Sequence, residues 1–406
     1  MRDLAPPRFL DPSSPPHIVT LTLVAGLSAL TMNIYLPSLP GMTAYFGAEY
    51  RVMQLSVPLF LAMNAVMQLA IGPISDRYGR RPVLLVSFAL FLLATLGCIF
   101  APTAGAFLAF RMLQAVVAAG IVLSRAVVRD MVPADRAASM IAYVTMGMAL
   151  IPMVAPALGG LLDSAFDWRA NFWLLFWLGL ALVWLLWRDL GETATQREGG
   201  FAAQLRAYPE LLASPRFWGY AAATMFASGA FFAYLGGAPF IGSEIYHLDP
   251  ATLGLLFGAA ALGYMIGNGI SGRYALRFGI DRMVLAGALV STTALAAALA
   301  LHLAGWSSAL VFFGAMAPVG VGNGLVLPNA IAGTLSVRPE LAGSASGLGG
   351  ALMIGGGAAL SAYSGTLLSL DSGAVPLIVL MLASTLMSLA AIFLVMRRNA
   401  RLGDRM

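Results

Sequence analysis

Gly72-Pro73-Ile74-Ser75-Asp76-Arg77-Tyr78-Gly79-Arg80-Arg81-Pro82-Val83 is the stretch that decides the fold. Long apolar runs flank it, one ending at Gly72-Pro73 and the next beginning at Pro82-Val83, while Asp76, Arg77, Arg80 and Arg81 crowd charge between them. A basic turn this dense beside a membrane span marks the cytoplasmic face. The stretch therefore reads as a cytoplasmic hairpin between two membrane helices. Composition agrees: the 406 residues are 60% hydrophobic and only 10% charged, with a mean hydropathy of +0.85, which describes a polytopic membrane protein.

About 20 apolar residues cross a bilayer. On that ruler the chain yields twelve spans, near 18–38, 51–73, 83–101, 104–126, 137–162, 169–188, 215–240, 251–272, 282–302, 307–335, 342–368 and 374–396. Pro152 and Pro156 in the fifth, and Pro318 and Pro328 in the tenth, predict kinks. The polar interval 190–214 reads as a cytoplasmic linker between two six-helix halves, 18–189 and 215–396, with short cytoplasmic tails at 1–17 and 397–406. The expected fold is all-α, with two pseudo-symmetric bundles. Ser75-Asp76-Arg77-Tyr78 is echoed by Ser271-Gly272-Arg273-Tyr274, as an internal duplication would leave it, with Gly272 in the place of the Asp.

Arginines set the orientation. Arg77, Arg80, Arg81, Arg125, Arg129, Arg136, Arg273, Arg277, Arg282, Arg397, Arg398, Arg401 and Arg405 fall on one side, and little beyond Arg51 and Arg169 on the other, so both termini are expected in the cytoplasm. The proline-rich start lacks a signal-peptide cleavage site, so the first apolar run is expected to stay as a span.

Several chemistries are excluded. The chain has no lysine, hence no Walker-type phosphate loop. Its one cysteine, Cys98, sits inside an apolar run and offers no disulfide. His17, His247 and His302 are scattered near helix ends and form no metal motif, and the +5 charge lies in membrane-flanking loops, which points to no nucleic-acid partner. No cofactor and no metal are expected.

Asp76 is placed to meet the N-terminus of span 11, after Arg338-Pro339-Glu340, where unpaired amides favour an anion. Arg129-Asp130 can join it in an ion-pair latch with Arg80 or Arg81. In span 4, Arg111 lies about seven residues inside the outer boundary, roughly 10 Å deep at the helical rise; an arginine at that depth needs partners and marks function. Gln114 accompanies it, and Asn33 of span 1 lies at comparable depth. Asp163 and Glu244 are acids near the outer ends of spans 5 and 7. Tyr35, Asn64, Gln68, Tyr143, Met146, Phe231, Tyr234, Tyr264, Asn268, Asn323 and Asn329 are candidates for a mostly apolar cavity with a few polar groups. The amides among them need a partner or a water-filled space within the bilayer.

The hairpin pattern Gly-x-x-x-Asp-Arg-x-Gly-Arg-Arg, Gly72 to Arg81, resembles the loop 2–3 signature of the major facilitator superfamily of secondary transporters. Arg111-x-x-Gln114-Ala115 resembles the Arg-x-x-Gln-Gly motif of its drug:proton antiporters, with Ala115 at the Gly. Ala155-Pro156-x-x-Gly159-Gly160 resembles their span 5 motif, with Ala155 at the first Gly. Small residues there would let span 5 approach span 8 at Gly263 and Gly267. Asn33-x-Tyr35-Leu36-Pro37 and Trp168-Arg169-x-x-Phe172 are similar to motifs of the bicyclomycin/chloramphenicol resistance family, in which an Asp usually stands where this chain has Asn33. An amide cannot titrate, so the expected proton carrier of span 1 is missing.

The resemblance implies a monomeric exporter of small lipophilic drugs in a bacterial inner membrane, working by alternating access and driven by the proton gradient. A dedicated exporter of an amino acid, peptide or sugar derivative, without proton coupling, is the alternative. An enzyme would need a catalytic dyad inside the spans, and none is visible.

Overall fold

A computed structural model describes residues 9–10, 16–131, 151, 154–193, 209–338 and 341–403, all of whose regular structure is helical. Eleven of the described helices are long and apolar enough to cross a membrane: Ile18–Phe46, Tyr50–Tyr78, Arg80–Ile99, Ala104–Val128, Arg169–Asp189, Pro215–Ile245, Pro250–Phe278, Ile280–Leu303, Ala309–Ser336, Ser344–Thr366 and Val375–Ala400. They are numbered below as spans 1–4 and 6–12. Helix 154–165 is the described end of span 5; most of that span, with Tyr143, Met146 and Pro152, lies outside the described residues.

The helices do not stop at the prolines of the hairpin. Span 2 continues through Pro73 to Tyr78 and span 3 begins at Arg80, so the whole turn is Gly79, with φ +97°. A membrane helix tolerates Pro73 because neighbours re-satisfy the freed carbonyl, whereas an L-residue at positive φ is strained. Gly279, φ +80°, closes the hairpin between spans 8 and 9 in the same way. This geometry corrects the expected repeat. Aligned on the turn glycines, the counterpart of Asp76 is Leu276 and that of Arg80 is Ile280, one helical turn away from the Gly272 match.

Span 1 is broken where its prolines sit. Its α-helix ends at Asn33, a short 3-10 turn runs Leu36–Ser38, and the helix resumes at Leu39. Span 4 passes through a 3-10 turn at Ala115–Val117, and span 10 breaks at Ala315, just before Pro318. Pro318 leaves the carbonyl four residues earlier without a donor, which explains the break.

Backbones approach closely through glycine. A Cβ on Gly263 or Gly267 would strike the Ala317 or Val321 carbonyl of span 10, and one on Gly320 the Ala260 carbonyl of span 8. Gly263 and Gly267 thus serve the packing of spans 8 and 10 and not, as expected, that of spans 5 and 8. Span 5 meets span 8 nearer its end: a Cβ on Gly160 would strike the Pro250 carbonyl and one on Gly254 the Pro156 carbonyl.

Candidate functional site

On the hairpin face, Arg80 is nearly buried between two carboxylates. Its Nη2 lies 2.6 Å from Asp76 and its Nε 3.1 Å from Asp130 at the end of span 4, and Nη1 donates to the Ser75 hydroxyl. The Asp130 carboxylate is only 2% exposed, that of Asp76 40%. Asp76 thus pairs within its own hairpin, because the Gly79 turn brings Arg80 back beside it. Arg77 stacks over Tyr78 at 5.3 Å. The side chain of Arg129 lies outside the described atoms.

Two further carboxylates, not singled out from sequence, complete this face. Glu192, in the linker, accepts from the first backbone amides of span 3, Arg80 at 2.9 Å and Arg81 at 3.3 Å, while the Arg81 guanidinium donates to the Trp187 carbonyl. Asp189, fully buried at the end of span 6, accepts from the amides of Leu10 and His17 and from the Thr20 hydroxyl at the start of span 1. Each acid sits where a helix N-terminus presents unpaired N–H groups. The readable signal was two acids three positions apart on an otherwise arginine-rich face.

At the opposite face the chain before the linker is tied to the chain after it. Gln54 of span 2 donates from Nε2 to the Ser361 carbonyl of span 11 at 2.7 Å, and fills space that a Cβ on Gly236 or Gly365 would take. Tyr50 stacks on Phe240 and donates to the Gly236 carbonyl at 3.5 Å. With the span 5–span 8 contact, these close the far face. Of the motif residues in span 5, Gly159 abuts the Ile34 carbonyl at the span 1 break, and Ala155 and Pro156 are buried.

Arg111 is 1% exposed and has no carboxylate partner among the described residues. Its Nη1 donates to Gln114 Oε1 at 2.7 Å and its Nη2 to the Thr31 carbonyl at 2.8 Å, and the guanidinium lies 4.3 Å from the Tyr35 ring centre and 4.1 Å from that of Phe60. Gln114 in turn donates to Thr95. Thr31 stands in the last helical turn before the span 1 break, and Arg111 in the last turn before the span 4 break. The end of the span 1 helix carries partial negative charge on carbonyls short of donors. One helix end, the Gln114 side chain and two aromatic faces hold the cation. Lodging an arginine at mid-membrane costs about 3 kcal/mol, and desolvated cation–π contacts at about 2 kcal/mol each offset it. Asn33 donates to the Ala29 carbonyl of its own helix and is not a partner of Arg111. The Arg111 Nε and Asn33 Oδ1 are buried without a hydrogen bond.

The predicted cavity residues separate into two groups. Tyr35 is enclosed, bonded to Ser56; Tyr234 is enclosed among Phe231, Phe257, Phe312 and Phe313; Asn329 is enclosed, tying span 10 to Ser271 of span 8. These three line no cavity here, because each is used in packing. Asn323 is buried with its Oδ1 unpaired, and Asn64 is buried and accepts from Gln68. Gln68, Phe231, Tyr264 and Asn268 keep partial exposure. Asp163 is half-buried beside Ser38, and Glu244 is exposed in a π-helical turn, Ile241–Ile245, at the end of span 7. Asp167, Trp168 and Arg169 brace the far face: Asp167 caps span 6, and Arg169 stacks on Tyr45 and donates to the Ile99 carbonyl.

A bundle of broken and glycine-packed helices, its halves tied together at the far face and holding a buried cation, is the architecture of a membrane transporter. The Major Facilitator Superfamily profile matches residues 21–362. An uncharacterized MFS-type transporter, YdgK, of Bacillus subtilis is 35% identical over 63% of this chain and 65% of its own. The chloramphenicol resistance protein of Pseudomonas aeruginosa is 31% identical over 80% and 79%, and the bicyclomycin resistance protein homolog of Haemophilus influenzae 26% identical over 95% and 97%. Among solved structures, a bacterial homolog of the human lysosomal transporter Spinster, inward-facing and unoccupied, superposes with a TM-score of 0.71 at 16% identity, covering 94% and 97%. The chain belongs to the major facilitator superfamily, within its branch of bicyclomycin and chloramphenicol resistance proteins. It is a multi-pass membrane transporter and not an enzyme.

Proposed function

We propose that this chain exports small lipophilic drugs or metabolites across a bacterial inner membrane in exchange for protons, as a monomer whose two halves rock about a central site. The hairpin face is cytoplasmic in this reading, and the conformation is open toward the cytoplasm. The observation that carries it is the set of contacts between the halves at the far face, with Gln54 on Ser361, Tyr50 on Gly236 and Gly160 on Pro250. Alternating access requires such contacts to break as others form around the hairpins. The arginine excess on the hairpin face supports the orientation, and the names of the relatives support the substrate class.

A second reading, export without proton exchange, is favoured by the shell of Arg111. Gln114, the Thr31 carbonyl and the rings of Tyr35 and Phe60 hold it, and no carboxylate among the described residues joins them. In the antiport reading the proton passes instead through Asp163, Glu244, Asp76 or Asp130. The test is the collapse of a preformed pH gradient in everted vesicles on adding chloramphenicol. Antiport predicts a collapse that requires this chain. No collapse in the wild type, with one in Asn33→Asp, contradicts antiport and selects the second reading.

A further inference from the structure

The span 8–span 9 hairpin carries Arg273, Arg277 and Arg282, all exposed, and no carboxylate lies within ion-pair distance of any of them among the described residues. Arg273 and Arg277 are one helical turn apart on one face of span 8. The neighbouring acid, Asp281, is occupied elsewhere: it accepts from the Tyr220 hydroxyl at 2.6 Å and from the Asn399 amide at 2.8 Å. The first hairpin is built the other way, its Arg80 held by Asp76 and Asp130 and its Arg80 and Arg81 amides by Glu192.

Beside these cations an apolar groove of about 350 Å³ runs up the side of the bundle, lined by Ile270, Tyr274, Phe278, Met283, Ala286 and Leu325 with Arg282 at its mouth. Ile270, Tyr274 and Phe278 are spaced four apart, so they form one wall from span 8; Met283 and Ala286 of span 9 form the other. The volume is at the lower end for ligand sites, about 300–1,000 Å³. Arg273 and Arg277 lie over the Tyr274 and Phe278 rings, at 5.9 and 5.5 Å. Guanidiniums without a carboxylate at the end of a membrane groove match a phosphodiester in charge and geometry, and the groove below matches a hydrocarbon chain.

We infer that this hairpin is a binding site for an anionic glycerophospholipid of the phosphatidylglycerol type, its phosphate on Arg282, Arg277 and Arg273 and an acyl chain in the groove between spans 8 and 9. A zwitterionic lipid brings its own ammonium to the same place and gains less from three uncompensated cations. The site is independent of what the transporter carries.

The experiment is native mass spectrometry of the delipidated full chain in detergent, titrated with phosphatidylglycerol, phosphatidylcholine or inorganic phosphate. The wild type is expected to bind one phosphatidylglycerol in preference to phosphatidylcholine, without displacement by millimolar phosphate. Arg→Gln at 273, 277 and 282 should weaken that adduct roughly fivefold per arginine removed. Ala286→Trp, which fills the groove and leaves the charge alone, should weaken it too, while Arg397→Gln/Arg398→Gln should not. Equal retention of the two lipids, an adduct unchanged in the triple variant, or full displacement by phosphate overturns the proposal. An adduct lost in the triple variant but intact in Ala286→Trp overturns the acyl-chain half of it.

Discussion

The two hairpins on the arginine-rich face share one backbone and carry opposite electrostatics. Gly79 and Gly279 both turn the chain at positive φ between spans that begin one residue later. Around Gly79 Arg80 is paired with Asp76 and Asp130, and Glu192 takes up the span 3 amides; around Gly279 the acid Asp281 is hydrogen-bonded by a tyrosine and an amide, and Arg273 and Arg277 rest on aromatic rings with no acid beside them among the described residues. The comparison separates what the repeat needs, a left-handed glycine, from what each copy adds. The first copy adds a charge network tied to span 4 and the linker, and the second a surface for the membrane.

The widest separation between the copies should come from Arg80→Gln. It leaves the buried Asp130 carboxylate without its cation, a loss of about 3–5 kcal/mol, seen as a lower unfolding midpoint in detergent. Ile280→Gln at the matching place should change little, and adding Asp130→Asn to Arg80→Gln should return part of the loss. Gly79→Ala comes next: about 1–3 kcal/mol for a backbone conformation, φ +97° and ψ 152°, that essentially only glycine adopts, plus displacement of Glu192, which its Cβ would strike. Gly279→Ala, with open space around it, should cost the backbone part alone. Equal losses at the two glycines would dissolve the contrast.

The smallest effect lies at the far face, where Asp249 caps span 8 and Glu49, at the start of span 2, makes no side-chain cap bond. Hydrogen bonds from Thr252, side chain first and then backbone, hold the Asp249 carboxyl below the usual carboxylate range. A carboxyl depressed on folding stabilises above its ordinary value and loses that contribution as pH falls through the depressed one. Asp249→Ala should therefore cost about 1 kcal/mol at neutral pH, and the difference from wild type should shrink as pH falls below 4. Glu49→Ala should show neither.

Most of the fold was legible because a membrane span is written locally, as about 20 apolar residues. What sequence missed depends on partners far along the chain. Glu192 and the Arg80 amide are brought together only by the packing of span 6 on span 3, so no spacing rule finds them. Depth counting put Arg111 level with Asn33. The span 1 helix ends at Asn33, and the Thr31 carbonyl in its last turn accepts from Arg111, which a depth count does not contain. The enclosed Tyr35, Tyr234 and Asn329 were indistinguishable in sequence from cavity residues, since an aromatic or amide in a span reads alike whether it packs or faces water.

The central claim is that the contacts around Gln54 close the far face and must open for transport. The direct measurement is chloramphenicol accumulation in cells carrying Gln54→Cys/Ser361→Cys in a Cys98→Ser background, before and after a short bifunctional thiol cross-linker and again after reduction. The account predicts that cross-linking stops export and reduction restores it. Export continuing at its uncross-linked rate while the cross-link is complete would contradict it.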